Sequence, residues 1–164
     1  MSYSQQFMTG PILILPDIRS AQNVGSLFRT ADAVGIKHIY IVGYTPTPLD
    51  RFGKPQKDIV KTALGAEQTV SWEYVKTLAP LLTKLKKQGY TLVAIEQAKN
   101  SIDYKKIRID PRKTACILGN EVNGLSVSSL KKVDLVAEIP MKGMKESLNV
   151  AVAGGIALFR FFDK

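Results

Sequence analysis

Residues 12–42 read ILILPDIRSAQNVGSLFRTADAVGIKHIYIV. The first four form an uninterrupted apolar run of strand length, and 38–42 make a second one behind His38. Between them Val24, Leu27, Phe28, Ala31 and Val34 fall at i, i+3, i+4, i+7 and i+10, the single apolar stripe of a helix. Gly35 follows the stripe, where a helix end needs a positive φ. Strand, helix and strand in this order are the pattern of an α/β domain with a largely parallel sheet flanked by helices.

The pattern continues outward. Further strands are expected at 12–15, 38–42, 69–72, 90–95, 114–118 and 133–139, and helices at 58–64, 78–88, after Ser126 and at 148–162. Gly65 should end the second helix, and Thr77 should cap the third, with Pro80 tolerated in its first turn and Gly89 after its end. The last helix carries the stripe Leu148, Val152, Ile156 and Phe159. Gly154 and Gly155 in its middle each cost about 1 kcal/mol relative to alanine. That cost implies close approach of another backbone, from the chain's own sheet or from a second subunit. With no repeat, low-complexity tract or linker, residues 1–164 are expected to form one domain.

Hydrophobic residues make up 45% of the 164 and charged residues 23%, enough apolar content for one core. Lys and Arg number 23 against 14 Asp and Glu, a net charge of +9 that favours a polyanionic partner, nucleic acid or an anionic membrane surface. One cysteine, Cys116, and one histidine, His38, exclude a disulfide framework, a zinc site and Cys–His or Ser–His catalysis. Cys116 lies in an apolar run and reads as an inert buried thiol, and His38 as a strand-edge residue. No apolar run of about 18 residues and no signal-peptide start occur, so a cytoplasmic protein without a membrane partner is expected.

Ligands of open α/β sheets bind at the carboxyl ends of the strands. Three loops so placed are rich in Gly, Asn, Ser and charge: 16–25, 119–124 and 140–149. Singly, each also reads as ordinary turn and cap chemistry, with Ser147 as a helix cap. Neither the dinucleotide-binding glycine fingerprint nor the P-loop pattern occurs.

At these loops the chain resembles the SpoU/TrmH branch of the SPOUT RNA methyltransferases. The matching stretches are Asn23-Val-Gly-Ser-Leu-Phe-Arg29-Thr-Ala, Leu118-Gly-Asn-Glu-Val-Asn-Gly124-Leu, and Ile139-Pro-Met-Lys-Gly-Met-Lys-Glu-Ser-Leu-Asn-Val-Ala-Val-Ala153, in the family's order. The resemblance covers about residues 12–160. It implies a SPOUT α/β fold with a C-terminal deep trefoil knot, a homodimer, and S-adenosylmethionine as cofactor. The implied reaction is methyl transfer to a ribose 2′-hydroxyl of tRNA or rRNA, which needs no metal. Leu118, Gly119, Asn120, Gly124, Ile139, Met141, Ser147 and Leu148 are implied to hold the cofactor. Arg29 is implied to be catalytic, with Asn23, Glu121, Ser147 and Asn149 as polar companions. An arginine side chain offers donors and no acceptor, so a clamp on phosphate or developing alkoxide suits Arg29 better than proton abstraction. Its spacing also permits a plain surface pair with Asp32.

Larger members carry an added RNA-binding domain, and none is expected here, so RNA contacts must come from this same domain. The best candidate is loop 43–57, where Arg51, Lys54 and Lys57 alternate with Tyr44 and Phe52. Lys142 and Lys145 border the third stretch, and Lys105, Lys106, Arg108, Arg112 and Lys113 form a second basic cluster. Two other readings stay open: a base methyltransferase of the same fold, and a non-catalytic RNA-binding module.

Overall fold

In the computed structural model, which describes residues 9–163, seven strands form one sheet. They are β1 (Ile12–Pro16), β2 (His38–Val42), β3 (Ser71–Val75), β4 (Thr91–Ile95), β5 (Ile102–Asp103), β6 (Thr114–Leu118) and β7 (Leu135–Glu138). Their order is β3-β2-β1-β6-β4-β7-β5, and every pairing is parallel. The helices are α1 (Ala21–Val34), α2 (Lys57–Ala63), α3 (Ala66–Thr69), α4 (Leu78–Lys87), α5 (Val127–Leu130) and α6 (Val150–Phe162).

The continuous apolar runs of β1, β2 and β6 follow from burial on both faces, since all five residues of each are buried. Leu13, Leu15, Ile39, Ile41, Cys116 and Leu118 point to a core closed by α1, α2 and α6. Ile12, Ile14, Tyr40, Ala115 and Ile117 point to a second core, closed by Leu81, Leu82 and Leu85 of α4. Each buried Leu or Ile among them contributes roughly 1.5–3 kcal/mol of transfer free energy.

Helix α1 forms as its spacing predicts. Ser20 Oγ accepts the Asn23 N–H, Val24, Leu27, Phe28 and Ala31 are buried, and Gly35 ends the helix at φ 82°. Gly25 permits α1 and α2 to touch, because a Cβ there would overlap the Thr62 hydroxyl and meet the Ile59 carbonyl oxygen at 2.5 Å.

Five expectations need correction. Helix α2 ends on Leu64, not Gly65, in the left-handed region at φ 52°, and Gly65 starts the single turn of α3. The third strand is Ser71–Val75 instead of 69–72, because Thr69 closes α3 and this edge strand is too exposed to show an apolar pattern. The two-residue strand β5 was too short to signal itself, and β7 is narrower than 133–139. Thr77 precedes α4 without a side-chain cap bond. Finally, α6 starts at Val150 and is capped by Asn149, whose Oδ1 accepts from the Ala151 and Val152 N–H groups; Ser147 remains in the preceding loop.

The apolar stripe of α6 is also inverted. Val150, Gly154, Ala157, Leu158 and Phe161 face the core, whereas Val152, Ile156 and Phe159 are exposed at 51%, 36% and 43%. A helix this apolar has two candidate faces, and the small residues decide. A Cβ on Gly154 would meet Leu27 Cδ2 at 2.6 Å and Leu118 Cδ1 at 2.8 Å, so this glycine answers the chain's own core. Gly155 faces open space.

Cys116 is fully buried, and burial pushes its thiol far above the ordinary range, which removes it as a nucleophile. His38 opens β2 as expected and is buried, with Nδ1 2.9 Å from Ser71 Oγ. Among the described residues no helix is long and apolar enough to cross a membrane.

Candidate active site

The carboxyl ends of β1, β4, β6 and β7 lie on one edge of the sheet, where the order switches direction between β1 and β6. A cleft of about 440 Å³ opens there. The loop after β6 supplies Leu118, Gly119, Asn120, Glu121 and Gly124, and the segment after β7 supplies Ile139, Met141, Ser147, Leu148 and Asn149. All eight residues expected to hold the cofactor therefore line one cavity. Two chain segments separated by a helix and a strand meet in it because both strands run parallel to β4.

Gly119 and Gly124 make the β6 loop tight enough for this. A Cβ on Gly119 would stand 2.8 Å from the Leu125 nitrogen, and Gly124 sits at φ 63°, a region that costs other residues about 1–2 kcal/mol. The Asn120 side chain folds the loop on itself. Its Oδ1 accepts the Val122 and Asn123 N–H groups at 2.8 and 2.9 Å, and Nδ2 donates to the Asp17 carbonyl at 2.7 Å.

Glu121 ties this loop to the start of α1. Its carboxylate accepts from the Arg19 and Ser20 N–H groups at 2.9 and 3.1 Å and from Asn23 Nδ2 at 3.2 Å. Partial burial opposes ionisation of Glu121, but these hydrogen bonds outweigh it and hold the carboxyl below its usual range. Asn149 Nδ2 in turn donates to Asn23 Oδ1 at 3.2 Å. Asn23, Glu121 and Asn149 thus form one polar chain linking α1, the β6 loop and the cap of α6, while Ser147 stands on the cleft wall beside them.

Arg29 does not join them. It is exposed on α1, six residues beyond Asn23, and at 3.6 residues per turn it projects about 120° away around the helix. Among the described residues it has no hydrogen-bond or ion-pair partner, and Asp32 accepts from Thr69 Oγ1 instead of pairing with it. The guanidinium lies exposed, outside the cleft lining.

The basic residues divide similarly. Loop 43–57 is an ordered turn: Asp50 Oδ1 accepts the Phe52 and Lys54 N–H groups, and Arg51 lies 4.7 Å over the Phe52 ring. Arg51, Lys54 and Lys57 are all exposed on the cleft's edge of the sheet, with the Phe52 ring 71% exposed among them. Lys142 and Lys145 are exposed on the segment that walls the cleft. The second cluster behaves differently. Arg112 and Lys113 precede β6 at the opposite edge, Arg112 lies 3.4 Å from Asp110, Lys105 lies 3.9 Å from Asp103, and Lys113 donates to the Gln88 carbonyl.

The sequence reading missed the loop after β4. Ile95, Glu96 and Gln97 line the cleft, joined by Val122, Val150 and Ala153. Glu96 Oε2 accepts the Leu125 N–H at 3.0 Å, and Gln97 Nε2 donates to the Glu146 carbonyl at 2.7 Å. This pair therefore grips both segments that line the cleft. Its signal was available, since Glu96 directly follows a strand on the binding edge. Among the described residues no group of three or more His, Cys, Asp or Glu is placed to hold a metal ion.

The family model for the SpoU rRNA methylase family matches residues 10–159. A Staphylococcus aureus protein named for the TrmH family of tRNA/rRNA methyltransferases is 32% identical over 153 residues, which cover 93% of this chain and 58% of that protein. The chain thus spans a little over half the length of that curated relative. An AdoMet-bound rRNA methyltransferase from Sinorhizobium meliloti superposes with a TM-score of 0.78 at 28% identity, covering 92% of this chain and 55% of that one. A structure described as giving insight into 2-OH methylation of C/U34 on tRNA superposes with a TM-score of 0.78 at 25% identity, covering 91% of each chain. With two of its three matching stretches lining one cleft and the family model spanning nearly its whole length, the chain belongs to the SpoU rRNA methylase family.

Proposed function

We propose that this protein is an S-adenosylmethionine-dependent RNA methyltransferase acting on a ribose 2′-hydroxyl of tRNA or rRNA in the cytoplasm. The observation that carries this reading is the convergence of Leu118–Gly124 and 139–149 on one cleft of about 440 Å³, a volume suited to a drug-sized cofactor. The residues fit that cofactor. Leu118, Ile139, Met141 and Leu148 offer apolar walls to adenine, main-chain groups beside Gly119 offer hydrogen bonds, and Glu96 and Glu121 offer negative charge to a sulfonium. Held by these residues, S-adenosylmethionine would supply an activated methyl group for transfer from its sulfur to the ribose oxygen. The chain's residues then have to position and balance charge. Asn23, Glu121 and Asn149 hold the cleft against α1 and present amide and carboxylate groups to the sugar. Arg29 clamps a phosphate and steadies the alkoxide as the hydroxyl proton leaves to solvent.

Two further features belong to the same reading. The unpartnered face of α6 (Val152, Ile156 and Phe159, with Leu148 beside it) supports a homodimer. In such a dimer Arg29 completes the site across the interface, which accounts for its distance from its own Asn23. The chain also leaves β7, crosses the ends of β4 and β6, and returns to pack α6 on α1, with Gln97 and Asn23 holding the crossing segment. This path supports a C-terminal trefoil knot through the β6 loop. Arg51, Lys54, Lys57, Lys142 and Lys145 supply phosphate contacts on the same edge.

The test is transfer of radiolabelled methyl from the cofactor to bulk tRNA and rRNA. Label in alkali-resistant dinucleotides is the expected result. Label in free bases would make it a base methyltransferase, and RNA binding without label would reduce it to a binding module.

A further inference from the structure

A second cavity, of about 400 Å³, opens on the other side of the 120–124 loop, and the cofactor cleft does not use it. It lies between the ends of β1 and β2, the turn before α4, and α5. Tyr44, Lys76, Thr77, Asn123, Ser126 and Ser129 line it. We infer that it seats one unpaired nucleotide of the RNA adjoining the nucleotide presented to the first cleft, with the base on the Tyr44 ring and a phosphate on Lys76. The inference rests on the methyltransferase reading above.

Tyr44 is 63% exposed, yet it is not loose. Its hydroxyl accepts from Asn120 Nδ2 at 2.9 Å, and its backbone N–H donates to Asp17 Oδ1 at 3.1 Å. A largely exposed aromatic ring whose hydroxyl and backbone are both hydrogen-bonded is a stacking platform that loses little entropy on binding. Lys76 stands exposed at the mouth, and among the described residues it has no ion-pair partner. Its ammonium is the cation a phosphate beside that base would meet. The hydroxyl of Thr77 and the amide of Asn123 offer both donors and acceptors to a base edge or sugar, which suits a nucleotide better than a purely apolar guest.

The floor of the cavity carries backbone strain. Asp17 has φ 54°, a left-handed conformation uncommon outside glycine. That conformation aims its carbonyl at Asn120 and lays its carboxylate against Gly43, where a Cβ would overlap Oδ1. Asn120 is thereby the common wall. Both of its N–H donors serve the Tyr44 side, and its oxygen serves the turn that bounds the cofactor cleft. Two guests separated by one loop suit consecutive units of a single strand.

The experiment uses fluorescein-labelled, mixed-sequence, short single-stranded RNAs and the full chain, with anisotropy read across a salt series in saturating S-adenosylhomocysteine. Tyr44→Ala should weaken binding about tenfold, whereas Tyr44→Phe, which keeps the ring, should stay within about twofold of wild type. Lys76→Ala should lower the salt slope by about 0.7, the loss of one single-strand phosphate contact. Thermal melting checks that each variant is folded. Wild-type affinity and slope in both Tyr44→Ala and Lys76→Ala, or no RNA binding by the wild type, would overturn the inference. Label transfer to bulk RNA by wild type alongside unaffected variants would sink this inference alone. Weakened variants with no label transfer would sink the transferase reading and leave an RNA site.

Discussion

Replacing Gly124 by alanine tests how the β4 loop shapes the cleft. The added Cβ would overlap Glu96 Oε2 and stand 2.9 Å from the carboxyl carbon, and the backbone would keep its φ of 63°. Two costs follow. The left-handed conformation costs a Cβ-bearing residue about 1–2 kcal/mol. The carboxylate must also swing away from the Leu125 N–H it accepts at 3.0 Å, losing a charge-assisted bond of roughly 1.5–3 kcal/mol. Their sum is about 2.5–5 kcal/mol of folding stability. The displaced wall should also weaken S-adenosylhomocysteine binding by about tenfold, since every 1.4 kcal/mol is a factor of ten. Urea unfolding measures the first quantity and calorimetric titration the second. A cycle with Glu96→Ala separates the causes: with the carboxylate gone, Gly124→Ala should cost only the backbone part, about 1–2 kcal/mol. Equal losses in both backgrounds would refute the clash, and wild-type cofactor affinity in Gly124→Ala would refute the placement of Glu96 in the binding wall.

Arg29→Ala should abolish methyl transfer while calorimetric cofactor affinity stays within a few-fold, because Arg29 lies outside the cleft; lost affinity would refute its role. Glu121→Gln should be less stable than wild type above the ordinary carboxylate range. Because the folded-state pKa is depressed, that difference should shrink as pH falls through the folded value, as followed by urea unfolding at several pH values. His38 is pushed below its ordinary pKa first by burial, with Lys84 adding to this and Glu73 opposing it. Its neutral form therefore contributes stability that is present above pH 6.5 and lost on acidification below it, and His38→Gln should flatten that part of the stability–pH curve. Phe159→Asp should give a folded monomer in sedimentation velocity and abolish transfer.

The α/β class, helix α1 and its Gly35 terminus, and the strands β1, β2 and β6 could be read from spacing alone. Their burial on both faces, or on one stripe, leaves a periodic record in neighbouring residues. The loops 119–124 and 140–149 that line the cleft were also readable, because Gly, Asn and Ser cluster where backbone turns tightly. Other features were decided by contacts between residues far apart in the chain. Helix α6 is apolar nearly all round, so only the fit of Gly154 against Leu27 and Leu118 settles which stripe turns inward. Leu64 takes a left-handed turn that glycine next door would have adopted more cheaply. Glu96 and Gln97 stand in a readable place, directly after a strand, but what they hold lies 29 and 49 residues away and is set by the fold alone. Arg29 shares a motif with Asn23, yet the helical repeat points it elsewhere. Periodicity records how a segment meets its surroundings on average, whereas a site depends on which particular atoms the folded chain brings within hydrogen-bonding distance.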